Sequence, residues 1–344
     1  MRDLLPTDRP ALVLAPMQDV TDLPFLRVLA RRGGPDYFVT EYFRVYPGSR
    51  LDPYILRSIR ENQTGRPIFA QMIGADIPSL VRTARELLRH PVAGIDLNLG
   101  CPSPTVCRKE AGGGLLRNPG LIDRILGALR EETDGRLTVK TRLGYHSPDE
   151  FGGLLAIFKR HAINALTIHA RTVAERYQSP VHPEFVRHAA ESLPCPVIAN
   201  GNVVNATSGK NYLARTRCAG LMIGRGAIRN PWIFDQLRAT FAGHTPPAVL
   251  RRDLLLYAQE LYEEIALETR AFQAVHHVQR MKRTMVYLSQ GIDPDFEHRI
   301  RRAQTPEDFH SACLDHLDND TPVPDTPPEQ SKIFCGFPAL AGIA

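Results

Sequence analysis

The sequence predicts an α/β protein, a (β/α)8 TIM barrel followed by a smaller all-helical C-terminal domain. Apolar, β-branched runs alternate with segments of helical periodicity eight times through the first two thirds of the chain. This alternation is typical of parallel strands covered by helices. The sequence lacks the early glycine-rich fingerprint of a dinucleotide-binding open sheet, which favours a barrel.

Each predicted strand is a short apolar run that ends at polar residues or glycine, as expected for buried strands. The eight runs are, in order, Ala11–Leu14, Tyr37–Thr40, Ile68–Met72, Gly94–Leu99, Leu137–Thr141, Ala165–His169, Val197–Ala199 and Gly220–Ile223.

The segments between these runs have apolar residues at helical spacing. Leu80, Ala84 and Leu87 share one face of Asp76–Arg89, so this segment is predicted to be an amphipathic helix. Other predicted helices of this kind are Pro119–Glu132 and, after the eighth strand, Ile228–Thr240.

Composition limits the possible classes of protein. A chain of 344 residues with 43% hydrophobic residues can bury a large core. The 42 Lys and Arg exceed the 37 Asp and Glu, and the net charge of +5 allows a polyanionic partner without requiring one. The six cysteines form no CxxC pair, so neither disulfides nor a metal site are predicted. The N-terminal MRDLLPTDRP lacks the apolar core of a signal peptide, and we expect a cytoplasmic protein.

The stretch from Ala93 to Leu116 combines a strand end, a cysteine and three successive glycines. Asn98 and Gly100 interrupt the apolar run just before Cys101, which places this thiol where a strand gives way to a loop. A thiol in that position can donate a proton to a substrate, although free cysteines are more often small buried apolar residues. Cys107 has no strand end to direct it, and we interpret it as structural. The glycines are expected to let the main chain approach a ligand closely or adopt positive φ angles.

In a TIM barrel the active site forms at the carboxyl ends of the strands. Seven of the predicted runs end in residues suited to chemistry, and amide, thiol, cation and imidazole groups together favour one functional mouth. These residues are Pro16, Met17 and Gln18; Gln71; Asn98 and Cys101; Lys140 and Arg142; His169 and Arg171; Asn200 and Gly201; and Gly224 and Arg225.

Barrels frequently bind phosphate with the loops after strands seven and eight. Here these loops are Asn200-Gly201-Asn202 and Gly224-Arg225-Gly226, where glycine frees backbone N–H groups and Arg225 adds a cation. They predict a phosphorylated substrate or cofactor. A cation such as Lys140 could hold the electron-rich edge of a reduced flavin.

The sequence resembles the tRNA-dihydrouridine synthases from Leu14 to about Leu317. The resemblance rests on the order and spacing of seven motifs. They are APM at Ala15–Met17, AQMIG at Ala70–Gly74, DLNLGCPSPTV at Asp96–Val106 followed by GGGLL, VKTRLG at Val139–Gly144, IHART at Ile168–Thr172, ANGNV at Ala199–Val203 and MIGRGA at Met222–Ala227.

The resemblance implies an FMN-dependent enzyme that reduces one uridine of tRNA, with NADPH as the electron donor. It also implies that hydride from the flavin reaches C6 of uracil and that Cys101 protonates C5. Asn98 and Arg171 are implied to seat the base, which must leave its stack to reach a barrel mouth. The implied flavin-binding residues are Pro16, Met17, Gln18, Gln71, Lys140 and His169, with Asn200, Gly201, Asn202, Gly224 and Arg225 at the ribityl phosphate.

The strand pattern stops after about Gly243. We therefore predict the catalytic barrel at residues 1–243, a helical tRNA-binding domain at 244–318 and a flexible tail at 319–344, which is rich in Pro, Asp and Thr. Apolar stripes of helical spacing support the second domain. They are Leu254, Leu261 and Ile265 in one helix, and Val278, Met281, Met285 and Leu288 in another.

Opposite the second stripe lies a face that carries His276, Arg280, Arg283 and Tyr287. Cations beside an aromatic ring can follow a phosphate backbone and stack on a base, and we interpret this face as a tRNA contact. A solvated helix face is the alternative.

The helical end and the NLGCPSPTV loop look most like the bacterial C subgroup of the family, which is associated with uridine sixteen of the D loop. We expect a monomer that acts on tRNA and binds no membrane. Two other functions stay open. One is a flavin barrel that acts on a small molecule, and the other is a tRNA-binding or chaperone protein that has lost catalysis.

Overall fold

The computed structural model describes residues 1, 3–133, 135–177, 179–268, 274–329 and 331–335. Along these residues the chain forms two compact units. Among them, no helix is both long and apolar enough to cross a membrane. The first unit consists of Met1–Gln18, Pro35–Gly201 and Asn211–Gly224, and the second of Asp19–Gly34, Asn202–Lys210 and the described residues from Arg225 onward.

The first unit is a barrel of parallel strands. The strands are β1 (Ala11–Leu14), β2 (Phe38–Val39), β3 (Phe43–Arg44), β4 (Ile68–Ile73), β5 (Gly94–Leu99), β6 (Leu137–Arg142), β7 (Ala165–His169), β8 (Val197–Asn200) and β9 (Gly220–Ile223). Eight of them form the ring in the order β1-β9-β8-β7-β6-β5-β4-β2, and β3 adds a short pairing to the end of β4.

The ring closes between β1 and β2. A parallel bridge joins Val13 to Tyr37, and Leu12 N donates to Asp36 Oδ2 at 2.8 Å. The predicted TIM barrel is therefore confirmed. The eight predicted runs match the ring strands to within one residue at either end. β3 was not predicted, because two residues are too short to show a periodic pattern.

Helices follow the strands of the first unit. Asp76 Oδ2 accepts from Ser79 N at 3.0 Å and Asn118 Oδ1 accepts from Leu121 N at 3.1 Å, so each side chain caps a helix that has proline in its first turn. The helices are α2 (Pro53–Arg60), α3 (Ile77–Leu87), α4 (Pro104–Arg108), α5 (Pro119–Glu132), α6 (Phe151–Arg160) and α7 (Pro183–Ser192), with 3-10 turns at Gly112–Arg117 and Pro148–Glu150.

The second unit is helical. Both predicted apolar stripes are buried in it, with Leu261 and Met281 no more than 1% exposed. Its helices are α1 (Leu23–Ala30), α9 (Arg225–Arg229), α10 (Ile233–Phe241), α11 (Arg251–Glu268), α12 (Ala274–Leu288), α13 (Pro294–Arg302), α14 (Pro306–Leu317) and α15 (Lys332–Cys335), and α8 (Ala206–Thr216) begins in it.

The boundary between the units differs from the predicted one at Gly243. α1 precedes that boundary in sequence but packs with α11, where Arg31 Nη2 donates to Glu264 Oε1 at 2.6 Å. The predicted eighth helix is divided into α9 and α10. Asn230 Oδ1 accepts from Trp232 N at 3.2 Å in a turn around Pro231, which cannot supply an N–H to continue a helix.

Residues 319–329 and 331–335 pack onto the second unit, in contrast to the flexible tail that the sequence predicts. Val323 N donates to Val249 O at 2.8 Å, and Asn205 Nδ2 donates to Asp325 Oδ2 at 2.9 Å. The rest of the predicted tail, residues 336–344, lies outside the described residues.

Candidate active site

The Cys101 thiol lies directly after β5, at the carboxyl end of the barrel, and the residue is partly exposed. Asn98 Oδ1 accepts from the backbone N–H groups of Gly100 and Cys101, each at 3.0 Å. This side chain takes over as hydrogen-bond acceptor where the strand ladder stops, so it ends the strand and fixes the backbone of the cysteine. The position predicted for this thiol is the position observed.

A buried chain of hydrogen bonds holds Asn98 in turn. Asn98 Nδ2 donates to Gln71 Oε1 at 2.8 Å, and Gln71 Nε2 donates to Asp96 Oδ2 at 2.7 Å. Thr138 Oγ1 donates to the other carboxylate oxygen of Asp96 at 2.6 Å. Three neighbouring strands, β4, β5 and β6, supply these side chains, so their relative register positions the cysteine loop.

Asp96 is a site residue that the sequence reasoning missed. It is 3% exposed, and burial raises its pKa, while the hydrogen bonds from Thr138 and Gln71 and the charge of Lys140 act in the opposite direction. One sequence feature could have identified Asp96, namely an acidic residue inside the apolar run of β5. A carboxylate is rarely buried without partners, so its presence there indicates a network of hydrogen bonds.

Lys140 stands on β6 close to the same groups. Burial and the neighbouring Arg142 guanidinium lower the pKa of Lys140 to about 8, while Asp96 and Cys101 act in the opposite direction. The Lys140 amine brings a cation to the same end of the barrel as Cys101.

Cys107 differs from Cys101 in its surroundings. It is 5% exposed, its Sγ donates to Cys101 O at 3.5 Å, and burial raises the pKa of its thiol. The thiol of Cys107 thus lies beneath the loop, whereas that of Cys101 lies at its surface.

The three glycines meet one of the two expectations, because Gly112 adopts a φ of 54°. A Cβ on Gly113 would lie 2.8 Å from Cys101 O, and one on Gly114 would lie 2.7 Å from Cys107 O. Gly113 N also donates to Cys101 O at 3.0 Å. The glycines are needed because their backbone packs against the backbone of the cysteine loop.

Arg142 was noted as a strand end but was not assigned to the site. Its side chain is 1% exposed and donates from Nε to Gly100 O at 3.0 Å, and from Nη1 to Thr172 O at 2.8 Å and Arg176 O at 2.7 Å. The guanidinium also lies 5.1 Å from the Tyr177 ring centroid. It ties the cysteine loop to the loop after β7.

The predicted residues on β7 lie beside that loop. His169 is 7% exposed, and its ring packs edge-on against Tyr177 with the centroids 5.7 Å apart. Arg171 is 2% exposed and donates from Nε to Ser179 O at 2.6 Å. Both are held by their own loop.

Several residues predicted to contact flavin lie after β1 and β9. Pro16 and Met17 are partly exposed, and a Cβ on Gly224 would lie 3.4 Å from Met17 Sδ. Gln18 Nε2 donates to Glu41 Oε2 at 2.9 Å, while Gln18 Oε1 is buried with no hydrogen-bond partner among the described residues. Because buried acceptors are normally hydrogen-bonded, this oxygen could accept a hydrogen bond from an N–H group of a bound ligand.

The predicted phosphate-binding residues fall in both units. In the first, Asn200 Nδ2 donates to Met222 O at 2.7 Å, and Gly201 has a φ of 134°, which favours glycine. In the second, Asn202 is exposed, and Arg225 Nη1 donates to Lys332 O at 3.3 Å.

The predicted basic face of α12 is smaller than expected. His276 and Arg283 are exposed, and Arg280 forms an ion pair with Asp22. Tyr287 is 1% exposed, so the prediction that it stacks on a base is wrong. The C-terminal half of α12, from Thr284 to Leu288, is buried on all sides, which a stripe pattern alone does not predict.

The chain is similar to one characterised family over most of its length. A family model described as dihydrouridine synthase (Dus) matches residues 13–320. The tRNA-dihydrouridine(16) synthase of Neisseria meningitidis serogroup A is 34% identical over 241 residues, 68% of this chain and 72% of that protein. The Haemophilus influenzae protein of that name is 31% identical over 309 residues, 86% and 97%. The tRNA-dihydrouridine synthase B of Xanthomonas campestris is 32% identical over 329 residues, 91% and 94%.

Solved structures with a similar fold are more distant in sequence. TcOYE with pHBA has a TM-score of 0.51 at 11% identity, over 67% of this chain and 89% of that one. Morphinone reductase in complex with tetrahydroNAD has a TM-score of 0.50 at 12% identity, over 69% and 88%. At these identities the likeness concerns the barrel fold alone.

Proposed function

The chain belongs to the dihydrouridine synthase family, and from this membership we propose that it reduces uridine sixteen of the tRNA D loop to 5,6-dihydrouridine, with bound FMN and NADPH as electron donor. The observation that carries the proposal is the Cys101 thiol, which is held at the barrel mouth by Asn98 and lies near the Lys140 amine.

The residues of the first unit fit a flavin. Met17 and Gly224 offer an apolar surface, while Gln18 Oε1 is a buried acceptor that a ring N–H could satisfy. Gln71, Lys140 and His169 would hold the polar rim of the ring, and Asn200, Gly201 and Gly224 the ribityl phosphate, for which the family resemblance also implies Asn202 and Arg225. A flavin held by these residues would be the hydride donor to C6 of uracil.

Cys101 completes the reaction as a general acid. Hydride addition at C6 leaves negative charge on C5 and the O4 carbonyl, and the product forms when C5 gains the proton of the Cys101 S–H. Asn98 positions this thiol through the backbone N–H of Cys101, and the second hydrogen of its Nδ2 is available for the base. Arg171 would seat the base from the loop after β7.

We infer that the exposed His276 and Arg283 of α12, with Arg280 beside them, contact the phosphate backbone of tRNA. The helical second unit, which contains α12, then contributes tRNA binding to the barrel of the first unit. The protein would act as a cytoplasmic monomer.

The test combines a spectrum with an assay on defined RNA. The purified protein should show flavin absorbance, and with NADPH it should convert an unmodified tRNA transcript so that mass mapping finds dihydrouridine at position sixteen. Turnover of a small enone or dihydropyrimidine without tRNA would instead support a small-molecule enzyme. A colourless protein that binds tRNA without reducing it would support the non-catalytic alternative.

A further inference from the structure

A second set of surface residues lies on the catalytic unit, at β3. The chain alternates here between buried and outward positions, with Phe43 and Val45 no more than 5% exposed. Tyr42, Arg44 and Tyr46 point to the other face, as the period of two in a strand requires. Three consecutive outward positions thus carry an aromatic ring, a cation and another aromatic ring.

A tight turn at Tyr46 exposes its side chain to solvent. Its side chain is 59% exposed, which among the described residues makes it one of the two most exposed large apolar side chains. Ser49 N donates to Tyr46 O at 2.9 Å, Tyr46 N donates to Ser49 Oγ at 3.1 Å, and Gly48 adopts a φ of 79°. Arg82 Nη2 braces the turn from α3, donating to Ser49 O at 2.9 Å.

Tyr42 connects this turn to the candidate active site. The Arg44 guanidinium lies 5.9 Å from the Tyr42 ring centroid. Burial raises the pKa of Tyr42 to about 12, and the neighbouring Cys101 adds to the shift through its charge and a hydrogen bond. β3 also pairs with the carboxyl end of β4, Phe43 beside Met72 and Arg44 beside Ile73, so the outward residues continue from the barrel mouth to exposed surface within a single unit.

Two cations of this segment face solvent. Arg44 and Arg50 are exposed, and the next acid in the sequence, Asp52, caps α2 by accepting from Tyr54 N at 2.9 Å. The preceding acid, Glu41, is 5% exposed and accepts a hydrogen bond from Gln18, so it faces inward. Exposed rings between cations are the surface on which unpaired bases stack while phosphates bind alongside.

We propose that Tyr42, Arg44, Tyr46 and Arg50, here called the tyrosine strip, bind the single-stranded RNA that flanks the reduced uridine. This inference rests on the proposed function and adds a binding surface on the barrel unit to it. A base drawn into the site leaves its neighbours in the loop unstacked. Tyr46 provides a ring for one of them, and Arg44 and Arg50 bind the connecting phosphates.

The proposal is tested by binding of an unmodified tRNA transcript to the FMN-loaded enzyme, measured by fluorescence anisotropy at increasing KCl. Tyr46→Ala should raise Kd about tenfold through loss of one stacked base, and Tyr46→Phe should stay within about twofold of wild type. Replacing Arg44 and Arg50 together by Gln should lower the slope of log Kd against log salt by about 1.5. At subsaturating tRNA, dihydrouridine formation by Tyr46→Ala and by the Arg44/Arg50 variant should fall in proportion to their loss of affinity.

Two matched substitutions control for general surface effects. Leu256→Ala removes an equally exposed apolar side chain, and Arg187→Gln removes an exposed arginine from α7, and neither should change Kd. Flavin content and thermal unfolding verify that each variant is folded.

A Tyr46→Ala variant with wild-type Kd, or an Arg44/Arg50 variant with the wild-type salt slope, would overturn the proposal. If the wild type reduces tRNA in that case, only the strip is refuted, and a protein partner becomes its better occupant. If the wild type neither binds nor reduces tRNA, the proposed function itself is refuted.

Discussion

Gln71 Nε2 donates a 2.7 Å hydrogen bond to Asp96 Oδ2, and this bond sets the orientation of both amides between Asp96 and the thiol. Both carboxylate oxygens of Asp96 act as acceptors, one for Thr138 Oγ1 and one for Gln71, so the Gln71 amide turns its nitrogen toward Asp96. Gln71 Oε1 is then the acceptor for Asn98 Nδ2, and Asn98 Oδ1 is left to accept from the Cys101 N–H. Asp96 is thus a positioning residue for Cys101.

Replacing Asp96 should test this arrangement. Asp96→Leu leaves the buried Gln71 amide without its acceptor, and we expect the unfolding free energy to fall by about 1 to 3 kcal/mol. The reoxidation of reduced enzyme by tRNA should slow by more than the change in tRNA affinity accounts for. Asp96→Asn should restore most of both, because the hydroxyl of Thr138 can turn to accept from an Asn amide while the Asn oxygen still accepts from Gln71. Equal loss in the Leu and Asn variants would contradict the orienting role.

The sequence predicted the strands well and this network poorly, for one physical reason. A buried strand is recognisable from its own apolar residues, so the first and last residues of β5 and β7 were predicted correctly. The role of Asp96 depends on Gln71 and Thr138, which are 25 and 42 residues away and meet it only through strand register. The contact between α1 and α11 joins residues that lie even farther apart in the sequence, because 233 positions separate Arg31 from Glu264.

Lys140 predicts a pH dependence of stability. The amine loses its proton at about pH 8 in the folded protein and at 10.5 when unfolded, so between these values the unfolded chain binds the extra proton. The contribution of Lys140 to stability is therefore least favourable below pH 8 and improves as the pH rises toward 10.5. In cofactor-free protein, Lys140→Met should be more stable than wild type at pH 7, and this advantage should shrink by about 3 kcal/mol on reaching pH 10.5.

Urea unfolding at a series of pH values measures this difference. Lys159→Met, at an exposed position on α6, serves as the control and should show no such trend. A constant difference between Lys140→Met and wild type from pH 7 to pH 10.5 would show that the buried amine keeps its proton.

The basic face of α12 can be tested only at its exposed members. Arg283 has a side chain that is 49% exposed and lies 3.6 Å from Asp19, so its ion pair contributes little to stability. Arg283→Glu should raise the tRNA Kd roughly fivefold at low salt, and less at high salt, with the unfolding free energy nearly unchanged. A Kd that does not change at any salt concentration would remove this helix from the tRNA contact.

Arg280 is less suited than Arg283 to a test of tRNA binding, because it also contributes to stability. Its side chain is 17% exposed and pairs with Asp22, which is 10% exposed, so removing the cation takes the ion pair from a nearly buried carboxylate, whose Oδ1 still accepts from Phe25 N at 3.2 Å. Arg280→Met should lower the unfolding free energy by about 3 kcal/mol. Weakened tRNA binding by that variant would report on folding as much as on contact, and the helical pattern that grouped Arg280 with Arg283 could not separate the two roles.

The two neighbouring cysteines allow the acid to be identified. Cys101 is partly exposed after β5, whereas Cys107 is 5% exposed beneath the loop and donates to Cys101 O. A positioned general acid is worth about a hundredfold to ten-thousandfold in rate. Cys101→Ala should therefore bind flavin and tRNA, accept electrons from NADPH at the wild-type rate, and be reoxidised by tRNA at least about a hundredfold more slowly. Cys107→Ala should lose about 1 kcal/mol of stability and keep its reoxidation rate within about threefold.

Single-turnover reoxidation of prereduced enzyme by unmodified tRNA distinguishes the two variants, because it isolates the steps after flavin reduction. Cys101→Ser is the conservative control, since the Ser hydroxyl keeps the size and hydrogen bonding of the thiol but is a far weaker acid. It should be nearly as slow as Cys101→Ala. A fast Cys101→Ala together with a slow Cys107→Ala would assign the acid to the buried thiol and would require the loop to rearrange when tRNA binds, because in the structure described here the thiol of Cys107 faces Cys101 O.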